Sequence, residues 1–454
     1  MRLPRDPVTI VGAGPAGTLA ALLLARRGLQ VSVYDRRPDP RVQPQEGGRS
    51  INLALAARGI NALEHAHVMD RVRPLLVPLR GRMLHEVSGH TVLIPYGQYE
   101  HEVIYSFSRA QFNRALIEAA AQSPQIRFHF EQTCVGADPA ADVLHFRESG
   151  GTSAHARKLT PCIAADGAGS AVRASLATAG YLSAREELLD HDYLELSIAA
   201  QGREFVLEPH ALHVWPRGGF MLIALPNTDG SFTATLFLPR AGATSFAALT
   251  DDAAVRQFFA REFPDVVPLM HGLTQQFRDH PQGRLGTVYA DTWHVGGQVQ
   301  LLGDAAHAIV PFHGQGMNAA LEDCVVLDAL LDRADSWGAV FAQFSRERAP
   351  DAAAIARMAI ENYLEMRDTV RDPKFVRQKA QSLALERRFP EHFIPRYSMV
   401  MFHPEIRYAE AERRGAVQAQ ILEELDTSAQ HAGETGIDFR RAEGLIRERL
   451  KPLR

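Results

Sequence analysis

The chain has 454 residues, 46% hydrophobic and 22% charged, the balance of a soluble globular protein too long for one simple core, so two or three structural units are expected. Its 49 Lys+Arg against 53 Asp+Glu give a formal net charge of -4, which excludes the basic footprint of a nucleic-acid-binding protein. No apolar stretch is long enough to cross a bilayer, and Cys134, Cys162 and Cys324 are far apart without metal-ligand spacing, so buried thiols in a reducing, cytoplasmic setting and no metal site are expected.

Arg2 and Arg5 ahead of an apolar run to Leu24 superficially resemble an export signal, but Gly12, Gly14, Pro15 and Gly17 interrupt that run at the spacing of a nucleotide loop. Val8–Val11 is β-rich, Thr18–Arg27 is an Ala/Leu-rich helix closed by Gly28, and Val31–Asp35 alternates as a second strand ending in an acid. This β-α-β setting turns G-x-G-x-x-G into a dinucleotide signature: glycines for the turn, for pyrophosphate approach and for helix packing, and Asp35 for ribose hydroxyls. Pro38 and Pro40 stop the strand, and a polar loop follows through Gln43, Glu46, Gly47 and Gly48. Arg49 on that loop is either a phosphate or flavin contact or simply solvated.

Arg82–His85 and Val92–Tyr96 read as strands joined through Ser88-Gly89-His90 and belonging to a second sheet. Ser108 is placed to cap a helix with Arg109 in its first turn and Phe112, Leu116 and Ala119 on one apolar face. Ile126, Phe128 and Phe130 alternate with polar residues as a half-buried strand. Asp166 then follows an apolar run and precedes Gly167, a second strand-end acid. Between Leu194 and Leu238 the signals are those of an antiparallel sheet, with Asn227-Thr228-Asp229-Gly230 as a turn, able to roof a flat cofactor.

Val299–Leu302 leads into Gly303–Cys324, where Asp304 is the third strand-end acid, Gly314 and Gly316 admit close backbone approach, and a helix begins near Ala319. Taken alone the segment is either a cofactor site or an ordinary strand-loop-helix joint. Three such acids near glycines suit a ligand as large as FAD. Beyond about residue 325 the chain reads as helical, without repeats.

The motifs Gly12-x-Gly14-x-x-Gly17, Asp166-Gly167-x-x-Ser170-x-x-Arg173 and Gly303-Asp304-Ala305-Ala306-His307 with Pro311 and Gly314-x-Gly316-x-Asn318 resemble those of the FAD-dependent aromatic monooxygenases. Longer runs are similar to the kynurenine 3-monooxygenase family within that group: Gly48–Leu55, Arg80–Met83, Leu212–Gly218, Phe220–Asn227 with Asp229–Thr233, and Val310–Asn318. The resemblance covers nearly the whole chain. It implies an α/β protein: a Rossmann-like FAD-binding domain (1–75, 106–180 and 285–360), an inserted antiparallel substrate-binding sheet (76–105 and 181–284) and a C-terminal helical region (361–454).

It further implies 3-hydroxylation of L-kynurenine in tryptophan degradation, with NADPH reducing FAD and dioxygen reacting at the flavin C4a carbon to a hydroperoxide. FAD contacts fall on Gly12, Gly14, Ala16, Gly17, Asp35, Arg36, Ala54, Arg109, Asp166, Asp304, Gly316, Met317 and Asn318. The amino-acid end of the substrate falls to Arg82, Tyr96, Asn362 and Tyr397, a guanidinium with hydroxyl and amide donors to replace a carboxylate's lost hydration. Ile223, Leu225, Phe237, Phe312 and Met366 line the ring side. Phe312 and His313 stand at the seam where flavin and ring meet, His313 as packing or as a proton relay. A hydroxylase of another small aromatic acid, or a non-oxygenating FAD protein, remains open, as do NADPH against NADH and a homodimeric assembly.

Two departures stand out. Leu194 occupies a position where the family has lysine, which puts a local surface contact in doubt. Eukaryotic relatives continue into a C-terminal membrane anchor, whereas this chain ends after a basic amphipathic stretch, Phe439–Arg447, expected to pack on the enzyme rather than bind a membrane.

Overall fold

The computed structural model describes residues 6–43, 52–369, 373–426 and 437–453. Arg49 and the run Gly48–Ile51 lie outside these residues.

One sheet has six strands in the order 294–295, 299–301, 162–164, 8–11, 31–34 and 126–129. Five run parallel and His294–Val295 alone is antiparallel. A parallel sheet is covered on both faces, so its central strands are apolar throughout; Val8–Val11 is wholly buried. The helix Pro15–Arg26 packs there against Gly316–Leu330. Because Val31–Tyr34, Cys162–Ala164 and Val299–Leu301 point the same way, Asp35, Asp166 and Asp304 emerge on one sheet edge, the carboxyl edge where open α/β sheets bind ligands. Cys134, Cys162 and Cys324 are buried and unpaired.

The second sheet has seven strands in the order 283–290, 184–198, 232–239, 221–226, 211–216, 81–85 and 91–95. Its pairs are antiparallel except one, Ala211–Pro216 beside Gly81–His85. The sheet read from the sequence as antiparallel is so at every pair but this one. Hairpins make antiparallel neighbours, but here the chain leaves Thr91–Pro95, builds much of the first sheet and only then returns, a crossover that permits parallel pairing.

Side chains alternate across this sheet. Leu194, Leu196, Trp215 and Phe232 face a cover that includes Phe258, Phe259 and Phe263. Leu194 is thus core and not a surface contact, and burial accounts for its apolar character. On the other face, Leu84, Val214, Met221 and Phe237 pack with Phe312 and Tyr363. Register sets what meets there. Arg82 pairs with Leu212, and His213 with Ala224, which brings Leu212 level with Leu225. Met221 pairs with Phe237, and Phe237 with Tyr193.

The rest is helical: Trp337–Leu364, Pro373–Arg388, Arg396–Phe402, Tyr408–Asp426 and Phe439–Arg449. In the basic last helix, Ala442 and Ile446 pack with Leu385, Phe393, Ile421 and Leu425, and Arg449 pairs with Glu424 at 2.6 Å. Most of its apolar stripe is covered by protein, with Phe439 left exposed. Among the described residues no helix is long and apolar enough to cross a membrane.

Candidate active site

A cavity of about 390 Å³ opens between the two sheets. Gly14, Pro15, Ala16, Gly167, Asp304 and Gly316 line one part of it; Arg82, Tyr96, Ile223, Leu225, Phe237 and Phe312 line another.

The glycine loop divides its work. A Cβ on Gly17 would lie 2.0 Å from the Gly12 carbonyl oxygen, and one on Gly12, whose φ is +105°, would lie 2.3 Å from the Ala165 oxygen. These two glycines let helix and strands close up. Gly14 has nothing within 4 Å of its Cβ position, so there the backbone is open to a ligand. Asp35 accepts from the Ala13 N–H at 2.7 Å and from Arg37 Nε and Nη2 at 2.9 and 2.8 Å. Burial raises its pKa, but the Arg37 guanidinium outweighs burial and holds the carboxyl below its usual range. Asp35 therefore braces the loop from behind; it, Arg36, Gly12 and Gly17 are not part of the cavity wall.

Asp304 and Arg109 do line the cavity. Asp166 sits just behind it, one carboxylate oxygen accepting from Val172 N–H at 3.3 Å and the other buried without a partner. Burial raises its pKa, with the Ser170 hydroxyl opposing. The Gly303–Asp304 turn is tied down by fully buried Asp323, which accepts from Gly303 N–H at 3.2 Å, pairs with His307 Nε2 at 2.6 Å and takes Arg348 Nε at 2.7 Å. Ala54 and Met317 complete this wall. Asn318 does not reach it. Its amide donates to the Ala54 and Gly314 carbonyls, both at 2.8 Å, and accepts from Ala56 N–H at 2.9 Å, so the side chain clamps two wall segments together.

The other end is built from side chains. The Arg82 guanidinium, 7% exposed, lies over the rings of Tyr397 and Tyr96 at 5.1 and 5.7 Å. Its Nη2 faces Asn362 Oδ1 at 3.5 Å and its Nη1 lies 3.8 Å from Glu365. Arg82 Nε, the Tyr96 hydroxyl and His313 Nδ1 are buried without a hydrogen-bond partner. Burial raises the pKa of both phenols, so they are neutral donors at physiological pH. Burial and Arg82 together push the Lys379 ammonium down to about 8, against the pull of Glu365.

Asn362 stands behind the wall, donating to the Phe312 carbonyl at 2.6 Å, and so couples the polar end to the ring side. There Phe312 packs on Phe237 at 4.9 Å and stacks on Tyr363 at 4.0 Å. Met366 and Tyr397 also reach the cavity. His313 stacks on Tyr397 at 5.4 Å, and burial, with Arg82 adding to it, lowers its pKa to about 3. A neutral ring is what remains at working pH.

Sequence reasoning missed Leu79, Ile104, Tyr193, Leu212, Met221 and Leu285, all in the wall, together with Glu365. Leu212 and Met221 were inside quoted runs; the others carry no local signal. Glu365 opens a π-helical turn, Glu365–Thr369, a feature frequent at functional sites.

The glycine loop, the three acids at one sheet edge and the roofing second sheet define an FAD-dependent monooxygenase. A family model described as an FAD binding domain matches residues 5–359. Two solved structures share the fold at low identity: tetrameric 2-methyl-3-hydroxypyridine-5-carboxylic acid oxygenase, with TM-score 0.65, 18% identity and 85% and 95% of the two chains covered, and Pseudomonas aeruginosa PqsL in complex with 2-aminobenzoylacetate, with TM-score 0.64, 20% identity and 80% and 97% covered. Much nearer are the kynurenine 3-monooxygenases of Xanthomonas euvesicatoria pv. vesicatoria, 47% identical over 99% of this chain and 98% of that one, and of Stenotrophomonas maltophilia, 46% identical over 98% and 97%. The chain belongs to the kynurenine 3-monooxygenase family.

Proposed function

We propose that the protein hydroxylates L-kynurenine at ring carbon 3, with the balance L-kynurenine + NADPH + O2 + H+ giving 3-hydroxykynurenine + NADP+ + H2O. The observation that carries this reading is a buried guanidinium flanked by two phenols, Tyr96 buried and Tyr397 half-buried, beside an apolar stretch of cavity wall. An aromatic ring bearing an amino-acid tail matches that polarity: carboxylate to Arg82 Nε and the Tyr96 and Tyr397 hydroxyls, α-ammonium toward Glu365, ring against Phe237, Phe312, Ile223, Leu225 and Met366.

FAD, when bound, would carry electrons from NADPH to dioxygen, and dioxygen supplies the oxygen atom that is transferred. The residues that fit it are Gly14 and Ala16, Asp304 and the half-satisfied Asp166 for hydroxyl groups, and Arg109, with Asp35, Gly12, Gly17 and Asn318 holding the wall in shape. The chain's own task is positioning and water exclusion. The aniline nitrogen already enriches the reacting carbon in electron density, so no side-chain nucleophile is needed. His313 acts here by packing, since a ring neutral down to about pH 3 is a poor reservoir for protons at neutral pH.

The reading includes a cytoplasmic location, which the unpaired buried thiols support, and a homodimer, which sedimentation tests. Purified yellow protein should oxidise NADPH faster with kynurenine than with phenolic acids or no addition, and yield hydroxykynurenine. Stimulation by a phenolic acid alone overturns the substrate assignment, and colourless protein overturns the cofactor.

A further inference from the structure

His191 is 3% exposed and lies on the cavity-facing side of the long strand Ala184–Ile198, where a register shift between Leu188 and Asp192 interrupts pairing with Gly283–Ala290. Irregularities of this kind re-aim side chains. Here the imidazole is set between Asp190 Oδ1, 2.6 Å from Nδ1, and the Gly219 carbonyl oxygen, 2.7 Å from Nε2. A carboxylate and a carbonyl only accept, and a neutral imidazole carries one N–H. Neutral His191 would set a lone pair against a lone pair at one contact, so only the imidazolium satisfies both. Hydrogen bonding to His191 in turn keeps the Asp190 carboxyl below its usual range.

The His191 ring meets Tyr363 edge-on at 5.6 Å, and Tyr363 is the ring stacked on Phe312. The neighbouring Asn362 holds the Phe312 carbonyl. Among the described residues Arg367 also lies near this contact, its guanidinium 5.1 Å from the centre of the Tyr363 ring, and it contributes to lowering the Asp190 pKa. The strand Phe232–Pro239 brings Pro239 opposite His191 and no charge.

We propose that His191 is a positioning residue: as an imidazolium pinned between Asp190 and Gly219 it buttresses Tyr363 and, through it, the Phe312 wall against which the substrate ring lies. This rests on the kynurenine reading. Two N–H donors are needed to hold the ring at both contacts, so losing either one loosens the buttress. Aromatic substrate should then bind more weakly, by a contribution separate from the carboxylate clamp.

The test uses holoenzyme with L-kynurenine as probe, in wild type, His191→Gln and Asp190→Asn, the last at a side chain 86% exposed that tolerates replacement. In protein labelled with 15N-histidine, both His191 ring nitrogens should read as hydrogen-bond donors. Kynurenine Kd should rise about five-fold in His191→Gln with FAD retention unchanged, and Asp190→Asn, which keeps the ring but weakens one contact, should fall between. A His191 ring nitrogen that carries no proton in the holoenzyme, or a kynurenine Kd unchanged in His191→Gln, overturns the proposal. Wild type that binds no kynurenine overturns the substrate reading and the functional half of this one, while the 15N spectrum still decides the two-donor ring.

Discussion

The two ends of the cavity are made differently. At the end proposed for flavin the wall is mostly backbone: an open Gly14, the Gly303–Asp304 turn and the Gly316 helix start, with side chains such as Asp35, Asp323 and Asn318 working from behind to hold it. At the substrate end the wall is side chain. Arg82, Tyr96, Leu225 and Tyr397, with Asn362 behind them, come from separate elements and meet through register and helix packing. A backbone wall loses function when its braces go. A side-chain wall loses it when one desolvated group goes, because a partner is left buried and unpaired.

The sharpest way to break that contrast is Arg82→Ala. Truncating one member of a desolvated charge pair costs about 2–5 kcal/mol, or roughly 30- to 4,000-fold in Kd, so kynurenine titrations should show near-complete loss while FAD stays bound. Unchanged substrate affinity would sink the clamp. Next is Asn318→Ala, which strands the Ala54 and Gly314 carbonyls and the Ala56 N–H; about 1–3 kcal/mol is expected. It should appear as FAD loss on dilution and a lower Tm, with little change in kynurenine affinity per flavin-loaded enzyme. An effect confined to substrate would erase the distinction between the ends.

Lys379 gives a smaller effect with a definite sign. Its ammonium is cationic below about 8 and neutral above, so affinity for the substrate carboxylate should fall as pH rises through that value, by about two- to five-fold as expected of a partly exposed charge. Lys379→Met should be flat across the same range, and a wild-type profile matching the variant counts against Lys379 acting on the bound carboxylate. Smallest is His313→Gln. With the imidazole neutral over the working range, the pH profile of kcat and the coupling of NADPH use to product should keep their shape, with a modest change in KM from lost stacking. A missing inflection in the variant would revive the proton relay.

The end proposed for flavin was largely legible in the chain as a shape, because a backbone cradle depends on neighbours in sequence. Glycine spacing, a strand-end acid and a helix start fall within one short segment, as Gly12–Gly17 and Gly303–Asn318 illustrate. What the motif did not convey is that Asp35 and Asn318 point their polar atoms into the protein. Which way a carboxylate or amide turns is decided by Arg37 and by the Ala54 and Gly314 carbonyls, residues that composition and period do not connect to it.

At the substrate end, Arg82, Tyr96, Asn362 and Tyr397 were named through resemblance; taken singly each reads as an ordinary core or loop residue. Glu365, Ile104 and Tyr193 had no local mark at all. The parallel pairing of Ala211–Pro216 with Gly81–His85 sets Arg82 beside Leu212, and the helix Trp337–Leu364 carries Asn362 and Tyr363 to opposite duties, one at the guanidinium and one at Phe312. His191 belongs to the same kind: in the chain it is one histidine between two aspartates. Periodicity and motif spacing write the parallel sheet, its ligand edge and the backbone cradle into the linear chain, since those depend on local torsion and hydrogen bonding. Long-range register and burial decide which distant side chains share a dry space, and in that space charge, protonation and specificity are set.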